Sequence, residues 1–201
     1  MDILGRIGAV FGVGTPQAEA KERAQAVVMG PHDTAPPDNV QYAYDWLTGD
    51  GLSDYTDGKL QPMSAAGAAG ILGNWVTETG DPTLTNLDVQ EDGGKGPGMG
   101  MSQYTAARNA PYRAWREETI ASGGDPNSMD AQLKYFADEY LGKYDPAPGK
   151  SLVGYTNSLD ELDGMDATAA ATHLQRDFFR PSKPHLDKRI HYANEIFDRF
   201  N

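Results

Sequence analysis

The sequence contains no cysteine. Thiol nucleophiles, disulfides, thiolate-bound zinc and iron–sulfur clusters are therefore excluded, although the compartment is not decided by this. Basic residues are scarce, with 17 Lys and Arg against 29 Asp and Glu and a formal net charge of −12. A nucleic-acid binder carries a basic patch, so nucleic acid is not expected as a partner. The same charge gives no attraction to anionic membranes or walls, so such a target has to be reached by tethering or delivery. Long apolar runs are also missing. Residues 3–13 are apolar and Gly-rich, but the run is too short to span a bilayer, Arg6 interrupts it, and Asp2 stands where a signal peptide carries basic residues. It reads as a packing or docking segment, and no membrane insertion is expected.

Several reactive motifs are absent as well. The four histidines, His32, His173, His185 and His191, form no i,i+4 pair and no His-Glu-x-x-His, so no metal site or cofactor is expected. Gly100-Met101-Ser102 lacks the second glycine of a nucleophile elbow. The glycines from Gly93 to Gly100 do not follow G-x-G-x-x-G. Gly149-Lys150-Ser151 ends like a P-loop, but Tyr144 occupies the place of its first glycine.

What remains is enough for one sizeable core: 201 residues, 39% hydrophobic, rich in loops with 23 glycines and 13 prolines. Residues 1–37 read as an appendage, with a short helix near 18–28 broken by Gly30-Pro31 and Pro36-Pro37. A compact domain is expected over 38–201. Asp38 can cap a helix running through Leu47, and 49–58 reads as a turn-rich connection. Ser64 is a good N-cap for a helix over 65–79. There, Ala65, Ala68, Ala69, Leu72, Trp75 and Val76 recur at three- and four-residue spacing and make one face apolar. Small residues at 65–70 allow another helix to come close. Gly80 fits the stop, and Pro82 prevents continuation. The glycines forbid a helix over 83–101, where a short hairpin or irregular β-loop is expected. Further helical patterns cover 112–121, a stretch opened by Ser128 or Asp130 and running to Leu141, 166–179 and 182–200, with one turn at 158–162. The fold class is a mostly α, α+β domain with a small β-hairpin or Gly-rich loop after the 65–79 helix.

Glu78 sits at the end of that helix. The negative pole of the helix dipole and burial beside Trp75 would both disfavour its ionised form, which suits a general acid. Three carboxylates follow in the loop: Asp88, Glu91 and Asp92. The ion-like transition state of a glycoside hydrolase requires a second carboxylate across the cleft, and Asp88, ten residues after Glu78, is reachable across a short hairpin. Gln103 and Tyr104 can hydrogen-bond and stack on sugar, or start a helix and fill the core. The open backbone around Gly98 and Gly100 can form the wall of a glycan cleft.

At these residues the chain resembles the phage tail lysozyme family, in which a Gly-Ile-Leu-Gly-Asn helix start leads to a Glu and then to a Gly-rich segment ending in Gln-Trp. The matching positions are Gly70-Ile71-Leu72-Gly73-Asn74, Glu78, and Gly98-x-Gly100-Met101-Ser102-Gln103-Tyr104-Thr105 followed by Arg108. Tyr44-Asp45-Trp46-Leu47 lies upstream. Gln132 to Tyr140, Phe178-Phe179-Arg180-Pro181, and Arg189 with Ala193 lie downstream. Thr79 stands where the family commonly has Ser, and Tyr104 where it has Trp. The resemblance covers about residues 38–200. It implies a lysozyme-like fold, cleavage of the β-1,4 bond between N-acetylmuramic acid and N-acetylglucosamine, and a place in a virion beside other tail, baseplate or core proteins. Carried over by position, Glu78 is the general acid, Asp88 the first choice for the partner carboxylate and Asp92 the second, with Gln103, Tyr104, Gly98 and Gly100 along the glycan subsites. The expected protein is a virion-associated muramidase that opens the host wall during genome entry. The alternatives are a lytic transglycosylase on the same peptidoglycan strands and a non-catalytic adaptor on a lysozyme scaffold.

Overall fold

The computed structural model describes residues 38–91, 94, 96–145 and 159–201. The readings placed on the 1–37 appendage, on Asp92 and on the P-loop-like 149–151 lie outside the described residues. Seven α-helices follow in order among the described residues: α1 (Asn39–Thr48), α2 (Asp50–Tyr55), α3 (Ala65–Thr79), α4 (Ala106–Ala121), α5 (Met129–Tyr140), α6 (Ala167–Leu174) and α7 (Leu186–Phe200). A 3₁₀ turn at Leu159–Leu162 precedes α6, and a wider π-helical turn at Gln175–Phe179 continues it.

The domain is built around α3. Ser64 Oγ accepts from Gly67 N at 3.1 Å and opens the helix. Gly80 closes it in the left-handed conformation, φ 67°, with its N–H on Val76 O. Sequence spacing predicts one apolar face, but the structure buries every residue from Ala66 to Val76, so α3 runs through the core rather than along its surface. Its small residues make this possible. A Cβ on Gly70 would lie 2.7 Å from Ala170 Cβ of α6. One on Gly73 would lie 2.6 Å from Ala193 N and 2.7 Å from Arg189 O of α7. Leu72, Trp75 and Val76 pack into a single cluster with Val40, Ala43 and Leu47 of α1, Leu133 and Phe136 of α5, and Leu174 and Phe178. A smaller aromatic cluster joins Tyr104, Tyr112 and Tyr135, with Trp115 and Tyr144 against it. Beside it, Arg108 makes a buried two-pronged pair with Glu139 at 2.7 and 2.6 Å, its guanidinium over the Tyr104 and Phe178 rings.

Four elements differ from expectation. Residues 50–55 form α2 within the expected turn. α4 starts at Ala106, six residues early, and passes through Pro111. The expected 182–200 helix begins only at Leu186, because Pro184 holds the residues before it out of helical geometry. The β-hairpin is replaced by an irregular loop: no strand forms among the described residues, and a lone antiparallel bridge joins Gln90 to Met99. Gly94 and Gly100, both at positive φ, curl the chain away from strand geometry on either side of that bridge.

The turn that leads from α3 into this loop is fixed by Asp81. Its carboxylate accepts from Thr83 N (2.9 Å), Thr83 Oγ1 (2.6 Å), Thr85 N (2.9 Å), Thr85 Oγ1 (3.0 Å) and Asn86 N (2.8 Å). Partial burial pushes its pKa up, but the bonds from Thr83, Asn86 and Thr85 outweigh this and hold it well below the ordinary carboxylate value of 3.8. The ionised form is thus the one the fold favours, so its contribution is complete above the unfolded-state value and fades as pH falls below it. Asp81→Ala should cost about 1 kcal/mol at neutral pH, a figure discounted for solvent exposure. Denaturant unfolding at several pH values should show a constant gap between variant and wild type above about pH 5 that narrows below about pH 4. A gap independent of pH down to acid would remove Asp81 as the turn's anchor.

Candidate active site

The last turn of α3, the bridged loop and the chain between the π turn and α7 enclose a groove of about 540 Å³. Thr77 and Glu78 come from α3. Val89, Gln90 and Glu91 come from the loop, with Ser102, Gln103 and Thr105 after it. Phe179 to Lys183, His185 and Arg189 complete the lining. No helix among the described residues is long and apolar enough to cross a membrane.

Glu78 is at the groove, with its side chain 13% exposed. The α3 helix delivers it there because Asn74, one turn earlier, is anchored deep in the fold. Asn74 Nδ2 donates to Gly70 O (2.8 Å) and to Ala171 O of α6 (3.1 Å). Asn74 Oδ1 accepts from Arg189 Nη1 at 2.7 Å, and Glu78 Oε1 accepts from Arg189 Nη2 at 2.7 Å. Arg189 Nε donates to Pro184 O at 2.6 Å. This guanidinium is 1% exposed and every arm is occupied, so it is a fixed strut rather than a mobile surface charge. Among the described residues, Glu78 Oε2 makes no hydrogen bond and is left for a ligand. One oxygen held and one available is a usable geometry for a group that must meet a glycosidic oxygen in a set direction.

Among the described residues, the second carboxylate at the groove is Glu91. Asp88 is on the outside of the loop: it is half-exposed, absent from the lining, and paired with Arg116 of α4 at 3.0 Å. The reason lies in the register of the loop. Glu91 N donates to Gly98 O (2.8 Å) and Gly100 N to Val89 O (2.9 Å), which turns 89–91 to the groove and 88 to α4. Glu91 Oε2 accepts from Gly98 N at 3.0 Å; its Oε1 makes no bond among the described residues.

Gln103 lines the groove as expected. Its Nε2 donates to Val89 O (3.3 Å) and Gly100 O (3.2 Å), so it also clamps the loop. Tyr104 does not line the groove. It is fully buried, stacked on Tyr112 with ring centroids 4.2 Å apart, and burial holds its hydroxyl pKa well above the ordinary value. Its position follows from Tyr104 N donating to Met99 O, which folds residue 104 under the loop rather than over it. Gly98 and Gly100 are also buried and off the lining. Their role is steric. Gly100, at φ 74°, sits where any Cβ would strike the Tyr112 hydroxyl, and a Cβ on Gly98 would crowd Gln103 Oε1 and Glu91 Oε2 at 3.0 Å. They shape the loop that carries Glu91.

The 179–185 wall was not foreseen as part of the site, nor was Arg189 as the partner of Glu78. The signals for either were the family-like positions Phe179-Arg180-Pro181 and Arg189 and a cluster of cations, Arg180, Lys183, Lys188 and Arg189, in an otherwise acidic chain. Hydroxyls from Thr77, Ser102, Thr105 and Ser182 and the amides of Gln90 and Gln103 give the groove a polar lining with one aromatic, Phe179. Such a surface suits a hydroxyl-rich ligand.

A family model described as phage tail lysozyme matches residues 38–200. No curated protein matches the chain.

Proposed function

The chain belongs to the phage tail lysozyme family, a lysozyme-like group whose target is peptidoglycan, and on that premise we propose that it is a virion-associated muramidase with Glu78 as general acid. The observation that carries this reading is the position of Glu78: its side chain lines a polar groove with one carboxylate oxygen tied to Arg189 and the other unbonded among the described residues. In this reading Glu78 protonates the bond oxygen between N-acetylmuramic acid and N-acetylglucosamine. The bond breaks, and water adds at the muramic carbon to leave a reducing end. Glu91 takes the partner role assigned by position first to Asp88, as base for that water or as stabiliser of the ion-like sugar, while Asp92, the second choice, lies outside the described residues. The acidic surface suits delivery on a particle during genome entry, and residues 1–37 serve as the attachment or assembly segment beside the 38–201 catalytic domain.

A lytic transglycosylase on the same strands has one observation in its favour. Glu91 Oε2 is already held by the loop backbone at Gly98 N. A transglycosylase needs only the single acid, because the sugar's own hydroxyl closes an anhydro ring and no water is added.

Mass spectrometry of digested peptidoglycan separates the two. Hydrolysis leaves products heavier by one water than anhydro-ended ones. Glu91→Gln should slow a muramidase by about a hundredfold, whereas Asp88→Asn should leave the rate within about twofold because its salt bridge lies on the surface. Anhydro ends together with a Glu91→Gln rate equal to wild type would decide for the transglycosylase. No cleavage by the wild type at all would leave an adaptor on a lysozyme scaffold.

A further inference from the structure

One wall of the groove carries a charge pattern that bond cleavage alone does not require. Between positions 180 and 189 stand four cations, Arg180, Lys183, Lys188 and Arg189, against a single carboxylate, Asp187. The chain as a whole has the opposite balance, 17 basic to 29 acidic residues. Arg180, Lys183, His185 and Arg189 of this segment line the groove. Arg189 is committed to Glu78 and Asn74. Lys183 and His185 are exposed, and neither side chain has a hydrogen bond or ion pair among the described residues.

The backbone holds these groups in place. Arg180 (φ 46°, ψ 49°) and His185 (φ 44°, ψ 41°) are both left-handed without being glycine. Each such residue costs on the order of 1 kcal/mol or more, and strain of this kind concentrates where a chain is shaped for a ligand. Pro181 and Pro184 stiffen the span between them, and Arg189 Nε holds Pro184 O at 2.6 Å. The cationic wall and the acid at Glu78 are therefore bound to the same guanidinium.

We propose that Lys183 and His185 form an anion subsite that recognises carboxylates carried by the muramic acid next to the cleaved bond, so that the groove selects muramyl glycan over uncharged β-1,4-linked N-acetylglucosamine. The inference rests on the muramidase or transglycosylase reading of the groove. Two carboxylate sources fit the same chemistry: the lactyl group of bare muramic acid, and the peptide stem attached to it.

Binding measured in a Glu78→Gln background keeps the glycan intact. Three soluble oligosaccharides serve as probes: an N-acetylglucosamine oligomer, muramyl glycan stripped of peptide, and the same glycan with its peptides. Calorimetry should show the charged glycans bound at least about tenfold tighter than the uncharged oligomer. Adding Lys183→Gln and His185→Gln should erase most of that ratio, and raising the salt towards about 1 M should shrink it in the parent. Loss of the preference on stripped glycan assigns the lactyl carboxylate; loss only on peptide-bearing glycan assigns the stem. The subsite is overturned if there is no preference at the start, or if the preference survives removal of both side chains. Circular dichroism melting checks that the variants fold, and Lys183→Gln alone provides a second, milder test. Failure of the catalytic reading has a separate signature: wild type leaves peptidoglycan uncut while the charged-glycan preference persists.

Discussion

Glu78→Gln should lower peptidoglycan cleavage by about a thousandfold, the scale on which a positioned general acid contributes. The substitution is close to isosteric. A glutamine oxygen can still accept from Arg189 Nη2, so the groove keeps its shape, but an amide has no proton to give to a leaving sugar oxygen. Stability should also fall, because the guanidinium of Arg189, 1% exposed, loses its counter-charge. Truncating a fully buried pair costs about 3–5 kcal/mol. Here Glu78 is partly exposed and an acceptor remains, so the expected cost is nearer about 1–2 kcal/mol. Clearing of purified walls and a thermal melt on the same sample separate the two effects. A variant that clears at the wild-type rate would remove Glu78 from the chemistry; one that no longer melts cooperatively would mean that its role is chiefly structural.

Gly73→Ala is expected to cost about 3 kcal/mol, because the added methyl group meets backbone. The added carbon meets Ala193 N at 2.6 Å, Arg189 O at 2.7 Å and Ala193 Cα at 2.9 Å, all of them backbone, so no side-chain rotation relieves the clash. The helices must separate. Because Arg189 is on α7 and Glu78 on α3, the same separation stretches the contact between cation and acid. Activity should therefore fall by more than the loss of folded protein explains. Chemical denaturation alongside wall clearing at a temperature where the variant remains folded checks both parts. A loss below about 0.5 kcal/mol, within the range of surface substitutions, would show that the crossing of α3 and α7 is looser than described.

The α3 helix could be read from sequence almost residue by residue, because caps and stops are local chemistry: Ser64 bonds three residues ahead and Gly80 supplies one left-handed residue. Glu78 was legible for the same reason. Glu91 could be named only as one of three loop carboxylates. That Glu91 faces inward and Asp88 outward depends on the pairing of 89–91 with 98–100, and glycine spacing does not reveal that register. Tyr104 shows the opposite failure. An aromatic next to a site residue suits a sugar platform and a core equally well, and the decision came from Tyr112 on the following helix and Tyr135 on the one after it. Arg189 was visible as a family-like position in a helical pattern, but not as the partner of Glu78. Its partner lies 111 positions away, beyond any periodicity. The first turn of α4 lay outside the expected 112–121 helix, although the helix runs from Ala106 through Pro111.

The contact from Arg189 to Glu78 and Asn74 also sets an order of assembly. A ribosome lays down the acid in the first half of the described domain and its counter-ion close to the end, so a nascent or proteolytically trimmed chain without α7 holds an acid with no cation to orient it. The held orientation of Glu78 is therefore complete only once α7 has docked against α3, and not gradually as the polypeptide lengthens.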